Sequence, residues 1–261
     1  MTPKELLHLY SKAGIPLYDI REVLTFFGCD FDRVEIDERE IDEKKARNVL
    51  ERLVSGYPIS YLVGHVDLLS VRVRVDENVL IPRMETEDFL RQLLKERDLS
   101  GKHVLDLCTG SGFIALAVKK AYPDAIVTAS DISRKALDLA RLSAQDNALD
   151  IAFVQSDYLS QIKGRFDLII SNPPYIPLHS PNVRAPYEPK LALFSGEDGM
   201  DSYRKIFLEL EKHLEKDGEA YFEIESDNAE RIRDLAKEKL PIRRGEILLD
   251  FDGKKRFVHL F

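Results

Sequence analysis

From residue 103 onward, short apolar runs alternate with amphipathic segments of helical period. This alternation predicts an α/β fold in which a parallel, doubly wound sheet carries helices on both faces. The chain closes with two runs around Asp252-Gly253, which predict an antiparallel strand at the edge of that sheet. The other predicted strands are 103–107, 125–129, 151–155, 166–170 and 219–224, and the predicted helices are 113–121, 134–147, 203–214 and 229–239.

The preceding part of the chain has a different pattern. Apolar residues at helical spacing predict three helices within residues 3–56. In residues 61–82 the period changes to two and predicts a β-hairpin, with one strand at 71–75, a turn at 76–78 and apolar residues 79–81 after it. A further helix follows, with Thr86 as its expected N-cap.

The predicted organisation therefore has three parts. Residues 1–58 are predicted to form a helical domain for packing or for recognition of the substrate, residues 59–84 a β-hairpin linker, and residues 85–261 the α/β domain that holds the chemistry. A chain of 261 residues is long enough to bury a large core without disulfides or metal.

Composition restricts the compartment and the partners. Two cysteines indicate a reducing, cytoplasmic environment, and no apolar run suggests a signal peptide or a membrane span. The net charge of −8 disfavours, without excluding, a partner that is duplex nucleic acid. The six histidines share no metal-ligand spacing, so no metal site is predicted.

A glycine-rich turn follows the first strand of the alternating region, at residues 106–112. Glycines there let backbone N–H groups approach a ligand beside a helix N-terminus. With Ala115 the turn fits a dinucleotide-binding fingerprint. Asp131 ends the next strand about 20 residues further on, where an acidic side chain receives ribose hydroxyls. Together they indicate a cofactor that contains adenosine.

Asp157 and Tyr158 follow the third strand on the same edge of the sheet. The carboxylate could accept from an adenine amino group and the ring could cover the base. Cys108 is interpreted as a small buried residue rather than a nucleophile. The residues predicted to bind the cofactor are Asp106, Cys108, Thr109, Gly110, Ser111, Gly112, Asp131, Ile132, Asp157, Tyr158 and Asn172.

The fourth strand is followed by Asn172-Pro173-Pro174-Tyr175. The prolines end the strand and hold Asn172 extended at the sheet edge where ligands bind. The Asn172 side-chain oxygen and the Pro173 carbonyl could accept both N–H groups of a planar NH₂, and Tyr175 could stack on it. Such a nitrogen is a poor nucleophile, so alignment by two acceptors suits methyl transfer from a sulfonium. Asn172 and Pro173 are the predicted catalytic residues, and 172–175 the predicted substrate site.

These residues alone leave the acceptor open. A protein amide and the exocyclic amino group of adenine (N6) or guanine (N2) on a flipped base both fit the chemistry. An oxidoreductase that uses a dinucleotide leaves the prolines unexplained. Arg83 with Glu85 and Glu87 is interpreted as an ion-pair cluster at the site floor rather than a solvated helix start. Residues 176–189 are interpreted as a flap that shapes the substrate site rather than an idle loop.

Matches that run nearly end to end make the chain similar to the protein-(glutamine-N5) methyltransferases that modify peptide chain release factors, the PrmC/HemK type. The matching stretches are 56–58 with Tyr61 and Gly64, Pro82-Arg83, 85–87, the glycine turn, Asp131, Asp157, 172–175, 187–189, 192–193 and 196–199. The resemblance implies the seven-stranded class I fold of methyltransferases that use S-adenosylmethionine (SAM) and release S-adenosylhomocysteine.

The resemblance also implies the acceptor and the partner. The helical amino-terminal domain would dock the release factor, and Asn172 and Pro173 would hold the glutamine of its Gly-Gly-Gln tip. Sister enzymes that methylate a glutamine of a ribosomal protein are the alternative within the family. We further expect a monomer that binds neither a membrane nor, stably, a nucleic acid.

Overall fold

The structure is a computed structural model that describes residues 1–181 and 185–261. The chain divides into two units, Met1–His65 and Val66–Phe261. Residues 66–84 of the predicted linker therefore belong to the second unit. The predicted flap at 176–189 contains residues 182–184, which lie outside the described residues. No helix within the described ranges is long and apolar enough to cross a membrane.

The first unit is built from short helices around one apolar core. Its α-helices are α1 (Pro3–Lys12), α2 (Leu17–Phe26), α3 (Glu43–Val54) and α4 (Ile59–Val63), with a 3₁₀ turn at Phe31–Arg33. The Tyr10 hydroxyl donates to the Ala46 carbonyl at 2.5 Å inside that core, so the ring is buried without an unpaired polar group.

Helix α4 lies where a strand period was expected to begin, so the start of that prediction at Tyr61 is wrong. Pro58 precedes the helix and fixes its own φ in a range that suits a helix start. Gly64 then ends the helix with a φ of 85°, a left-handed conformation that favours glycine. Apolar side chains at Ile59 and Leu62 pack against the core of the first unit.

The second unit begins with a hairpin whose strands differ from those predicted. β1 (His65–Leu68) pairs with β2 (Val71–Arg74). Leu69 and Ser70 between them both have positive φ, as a two-residue hairpin turn requires. The turn predicted at 76–78 forms, and the Asp76 carboxylate accepts the Asn78 N–H in it, but residues 79–81 after the turn do not form a strand.

The remaining helices and strands form the α/β part of the second unit. They are α5 (Met84–Glu96), β3 (His103–Leu107), α6 (Phe113–Ala121), β4 (Ile126–Asp131), α7 (Arg134–Asp146), β5 (Ala152–Gln155), β6 (Phe166–Ser171), α8 (Lys190–Leu193), α9 (Asp201–His213), β7 (Leu214–Glu223), α10 (Ala229–Lys239), β8 (Gly245–Leu249) and β9 (Lys255–Leu260).

The strands of this part form one seven-stranded sheet in the order β5-β4-β3-β6-β7-β9-β8. The pairs from β5 to β7 are parallel, and β9 runs antiparallel to both of its neighbours. The predicted fold, a mostly parallel sheet with an antiparallel strand near its edge, is confirmed. Chain order reverses between β3 and β6, and in such sheets ligands bind at that point.

Two elements near this point differ from their predictions. Helix α5 begins at Met84, so Thr86 is not its N-cap but a residue of its first turn, only 3% exposed. Strand β7 begins at Leu214 rather than at 219. A Cβ at Gly218 in its first half would lie 2.7 Å from the Phe166 carbonyl, so glycine lets the two strands approach there.

Candidate active site

The ends of β3 and β6 place the two predicted motifs side by side. Leu107 and Ser171 are partners in the sheet register. The glycine turn begins immediately after Leu107, and Asn172 immediately follows Ser171. The Ser171 hydroxyl also donates to the Leu107 carbonyl at 2.6 Å, which fixes the two strand ends to each other. The structure therefore brings the cofactor motif and the amide motif to one edge.

Glycines 110 and 112 are required for different reasons. Both have positive φ. A Cβ on Gly110 would meet no atom within 4 Å, and Gly110 lines a cavity, so its missing side chain keeps that space open. A Cβ on Gly112 would lie 2.9 Å from the Cβ of Ala140 on α7, so this glycine lets α6 and α7 pack closely.

Asp106 lies beneath the turn rather than on the cavity wall, which differs from its predicted place among the cofactor-binding residues. Its side chain is fully buried, and one carboxylate oxygen accepts from the Thr109 hydroxyl and from the Ala115 N–H at 3.0 Å. Burial raises the pKa of Asp106 to about 7. Its role in this geometry is to hold the turn and the start of α6 together.

Asp131 supports the turn from the end of β4. Its carboxylate accepts from the Gly110 N–H at 2.9 Å and from the Ser133 N–H at 2.8 Å. Burial raises the pKa of Asp131, and the backbone donors oppose that shift. Asp131 and the following Ile132 both line the cavity. Since each carboxylate oxygen has a second lone pair, the side chain can still accept from a ligand hydroxyl.

Asp157 and Tyr158 also line the cavity, after β5. The Tyr158 hydroxyl is within 2.9 Å of the Ser202 hydroxyl, which fixes the ring, and the Tyr158 backbone has a positive φ. Lys205, which the sequence did not single out, lies 3.9 Å from the Asp157 carboxylate and 5.4 Å from the Tyr158 ring centroid. An acceptor, a ring face and a cation thus meet at one end of the cavity.

The cavity that these residues share has a volume of about 340 Å³. That size falls in the range of small-molecule sites. The predicted cofactor-binding residues on its wall are Cys108, Thr109, Gly110, Ser111, Asp131, Ile132, Asp157, Tyr158 and Asn172. Asp106 and Gly112 are the predicted residues that support the wall from behind.

The polar residues of the cavity wall include Ser130, Asp131 and Asp157. Ser130 lines the cavity, and its Oγ has no hydrogen-bond partner among the described residues. A buried polar atom left unpaired costs free energy, and this one has almost no surface open to the cavity. The carboxylates of Asp131 and Asp157 also line the cavity and can accept from hydroxyl and amino groups, so these acceptors fit the ribose and the adenine of SAM.

The Cys108 thiol is unsuited to nucleophilic chemistry. Burial raises the pKa of this thiol well above its ordinary value, and the carboxylate of Asp131 acts in the same direction. Cys108 also has a φ of 62°, a left-handed conformation that is costly for a residue with a side chain. This environment agrees with the interpretation of Cys108 as a small buried residue rather than a nucleophile.

Behind Asn172 lies a chain of hydrogen bonds that sequence reasoning missed. The Asn172 amide nitrogen donates to the Thr86 hydroxyl at 3.4 Å, and that hydroxyl donates to the Glu223 carboxylate at 2.5 Å. The Tyr175 hydroxyl donates to the other oxygen of Glu223 at 3.4 Å. A carboxylate within the apolar run of β7 was the available signal, because acidic residues are rarely buried without a polar partner.

Only two residues of the Asn-Pro-Pro-Tyr stretch lie at the cavity. Asn172 and Pro174 line it, whereas Pro173 is buried and Tyr175 packs against the apolar core. Burial raises the pKa of the Tyr175 hydroxyl, so it remains a donor to Glu223. The stacking role predicted for the Tyr175 ring remains a prediction.

The predicted ion-pair cluster around Arg83 forms with a different partner. Arg83 pairs with Glu188, whose side chain is almost fully buried and also accepts the Ile81 N–H at 3.0 Å. Glu87 pairs instead with Arg91 one turn along α5. Glu85 lies 3.9 Å from Arg256 on β9, so the prediction that Arg83 pairs with Glu85 and Glu87 is wrong.

Known proteins resemble this chain over most of its length. The family described as "Methyltransferase small domain" matches residues 85–184. A release factor glutamine methyltransferase of Streptococcus pneumoniae is 39% identical, covering 98% of this chain and 94% of that protein. One of Lactococcus lactis subsp. lactis is 37% identical, covering 87% and 84%. A methyltransferase structure from Pyrococcus furiosus has a TM-score of 0.55 at 18% identity, covering 85% of this chain and 98% of that one, which is a likeness of fold.

Proposed function

Because the chain belongs to the release factor glutamine methyltransferases, we propose that it methylates the side-chain amide nitrogen (N5) of the glutamine in the Gly-Gly-Gln motif of peptide chain release factors. The observation that carries the proposal is the register of β3 and β6, which puts Asn172 directly beside the glycine turn. An amide acceptor held by Asn172 would then lie next to the methyl donor held by that turn.

The cofactor is SAM, and its expected contacts follow the cavity wall. Backbone groups of residues 108–111 would hold the methionine part, and the Asp131 carboxylate would accept the ribose hydroxyls. Asp157 accepts the adenine amino group, while Ile132 and Tyr158 contact the base. When bound, SAM supplies a methyl group on a positively charged sulfur, so the acceptor nitrogen needs no strong base.

The chain's own residues orient the acceptor. The Asn172 side-chain oxygen and the Pro173 carbonyl accept the two N–H groups of the glutamine amide, and Pro174 closes the cavity beside them. Holding the nitrogen about 3–3.5 Å from its reaction partner and in line provides most of the rate enhancement. The nitrogen loses its proton after it has become positively charged, so hydrogen-bond acceptors are sufficient at this position.

The helical unit, Met1–His65, is proposed to dock the release factor. We also infer that the enzyme acts as a monomer in the cytoplasm, where its substrate is found, and that its acceptor is a protein. The net charge of −8 supports a protein acceptor over RNA or DNA.

The test is incubation with methyl-labelled SAM and three kinds of acceptor: a release factor, its Gly-Gly-Ala variant, and ribosomal particles with their RNA. We expect label in the release factor alone, and none when the enzyme carries Asn172→Ala. Equal label in the Gly-Gly-Ala variant contradicts the glutamine assignment. Label in a ribosomal protein or in RNA instead assigns the enzyme to one of the two alternative acceptors.

A further inference from the structure

The Thr86 hydroxyl has only one hydrogen to donate, and its acceptor is the Glu223 carboxylate. The residue is 3% exposed, in the first turn of α5, and its hydroxyl donates to the Glu223 carboxylate at 2.5 Å. An ionised carboxylate can only accept hydrogen bonds. The hydroxyl hydrogen is therefore directed to Glu223, and the lone pairs of Thr86 Oγ1 remain for other donors.

Asn172 lies next to those lone pairs. Its amide nitrogen is 3.4 Å from Thr86 Oγ1, and both residues line the cavity. A primary amide has a donor end and an acceptor end, which are distinguished by their hydrogen-bond partners. A lone pair at Thr86 accepts from the NH₂ end, so the carbonyl end is left for a ligand in the cavity.

We propose that Thr86 and Glu223 are positioning residues that fix the orientation of the Asn172 amide, so that its oxygen, and not its NH₂ group, meets the substrate amide. The proposal rests on the proposed function, because it concerns an acceptor nitrogen with two N–H groups. In the reverse orientation, the NH₂ groups of Asn172 and of the substrate would face each other as two donors. We call the hydrogen-bonded chain from Glu223 through Thr86 to Asn172 the relay. The relay selects the productive orientation of the Asn172 amide, and neither Thr86 nor Glu223 needs to contact the substrate.

The relay requires that the Glu223 oxygen facing Thr86 accepts a hydrogen bond and carries no proton of its own. Burial raises the pKa of Glu223 to about 7, while the Thr86 hydroxyl, Arg256 on β9 and the Tyr175 hydroxyl oppose the shift and Glu85 on α5 adds to it. The Tyr203 hydroxyl on α9 donates to the Glu223 backbone carbonyl. A protonated Glu223 could donate to Thr86, which could then donate to the Asn172 oxygen and stabilise the wrong orientation.

The first test compares Thr86→Val with Thr86→Ser. Valine has nearly the shape of threonine without a hydroxyl, and serine keeps the hydroxyl. We expect Thr86→Val to lower kcat about 10- to 100-fold, because the acceptor is misaligned. The dissociation constant for SAM should change less than about twofold, and Thr86→Ser should stay close to the unmodified enzyme. Equal kcat values for the two variants would overturn the proposal.

The second test uses the pH dependence of kcat. In the unmodified enzyme kcat should fall as pH falls through about 7, up to about tenfold per pH unit, as Glu223 gains a proton. In Glu223→Gln the side-chain oxygen still accepts from Thr86 but does not titrate. This variant should keep substantial activity and lose the acidic fall. An unchanged acidic fall in Glu223→Gln would contradict the relay.

A third measurement needs no acceptor protein. The side-chain NH₂ resonances of Asn172 in a ¹H–¹⁵N spectrum can be identified by their loss in Asn172→Ala. They should shift with pH around 7 in the unmodified enzyme and stay constant in Thr86→Val. Resonances that do not shift with pH, or that shift equally in Thr86→Val, would contradict the proposal. A failure to methylate release factor contradicts the proposed function instead, so the two failures are distinguishable.

Discussion

The guanidinium of Arg83 pairs with the nearly buried carboxylate of Glu188, 105 residues further along the chain. The same carboxylate accepts the Ile81 N–H. The pair joins the segment before α5 to the segment that leads into α8. Residues next to both partners, Pro82 and Pro189, line the cavity. One ion pair therefore holds two sides of the site together.

Replacing Arg83 by alanine should lower the free energy of unfolding by about 1–3 kcal/mol. The change removes the cation from the buried Glu188 carboxylate and leaves it the Ile81 N–H, and the cost stays below that of a fully buried pair because Arg83 is 40% exposed. Urea unfolding measures this quantity. The matched control is Arg47→Ala, which removes an exposed pair with Glu43 one helical turn apart on α3 and should cost under about 0.5 kcal/mol. Equal losses in the two variants would show that burial of Glu188 is unimportant.

Substitution of the two glycines of the turn by alanine should have opposite effects on the stability of the protein and on the binding of SAM. Gly112→Ala brings a Cβ within 2.9 Å of Ala140, so the melting temperature should fall by several degrees, which corresponds to about 1–3 kcal/mol. Gly110→Ala meets no atom and should be milder for stability, but its Cβ enters the cavity and should weaken SAM binding about tenfold or more. Calorimetry and thermal unfolding on both variants separate the effects. A larger stability loss in Gly110→Ala would refute this division of roles.

The sequence predicted the sheet and the two motifs at its edge because both are local signals. Apolar alternation specifies each strand, and parallel strands align their carboxyl ends, so Gly110 and Asn172 had to meet. The partners of Thr86 and Arg83 depend instead on contacts between residues more than 100 positions apart. A threonine before an amphipathic run has the same local pattern whether it caps the helix or faces Glu223. The nearest oppositely charged residues in sequence, Glu85 and Glu87, were likewise not the partners of Arg83.

Glu223 should make the protein less stable as pH rises from about 4.5 to about 7. Burial raises its pKa in the folded state from 4.5 to about 7, so in this window the folded protein binds more protons than the unfolded chain. Stability from the neutral carboxyl is therefore fully present below about 4.5 and is lost as pH rises through 7. The difference between the folded-state and unfolded-state pKa values corresponds to a loss of roughly 3 kcal/mol in the free energy of unfolding when Glu223 is ionised.

Urea unfolding of the unmodified enzyme and of Glu223→Gln across this pH window measures that cost. The difference between the two free energies of unfolding should grow in favour of the variant as pH rises, because glutamine does not titrate. A constant difference would show that Glu223 has an ordinary pKa in the folded state. The expected activity has the opposite pH dependence, since the relay needs the ionised form. Above pH 7 the Glu223 carboxylate thus lowers the stability of the protein while it orients Asn172.

Asp131 is expected to bind the ribose of the cofactor, but it also holds the turn through the Gly110 N–H. Asp131→Ala should weaken binding of S-adenosylhomocysteine about 10- to 100-fold, since hydrogen bonds to a charged group contribute about 1.5–3 kcal/mol. Asp124→Ala, at an exposed position before β4, is the matched control and should leave binding unchanged. An analogue of the product without the two ribose hydroxyls distinguishes the two roles of Asp131. If the carboxylate accepts those hydroxyls, the analogue binds the unmodified enzyme weakly and loses little further affinity in Asp131→Ala. An equal loss for both ligands would mean that Asp131 acts only through the turn.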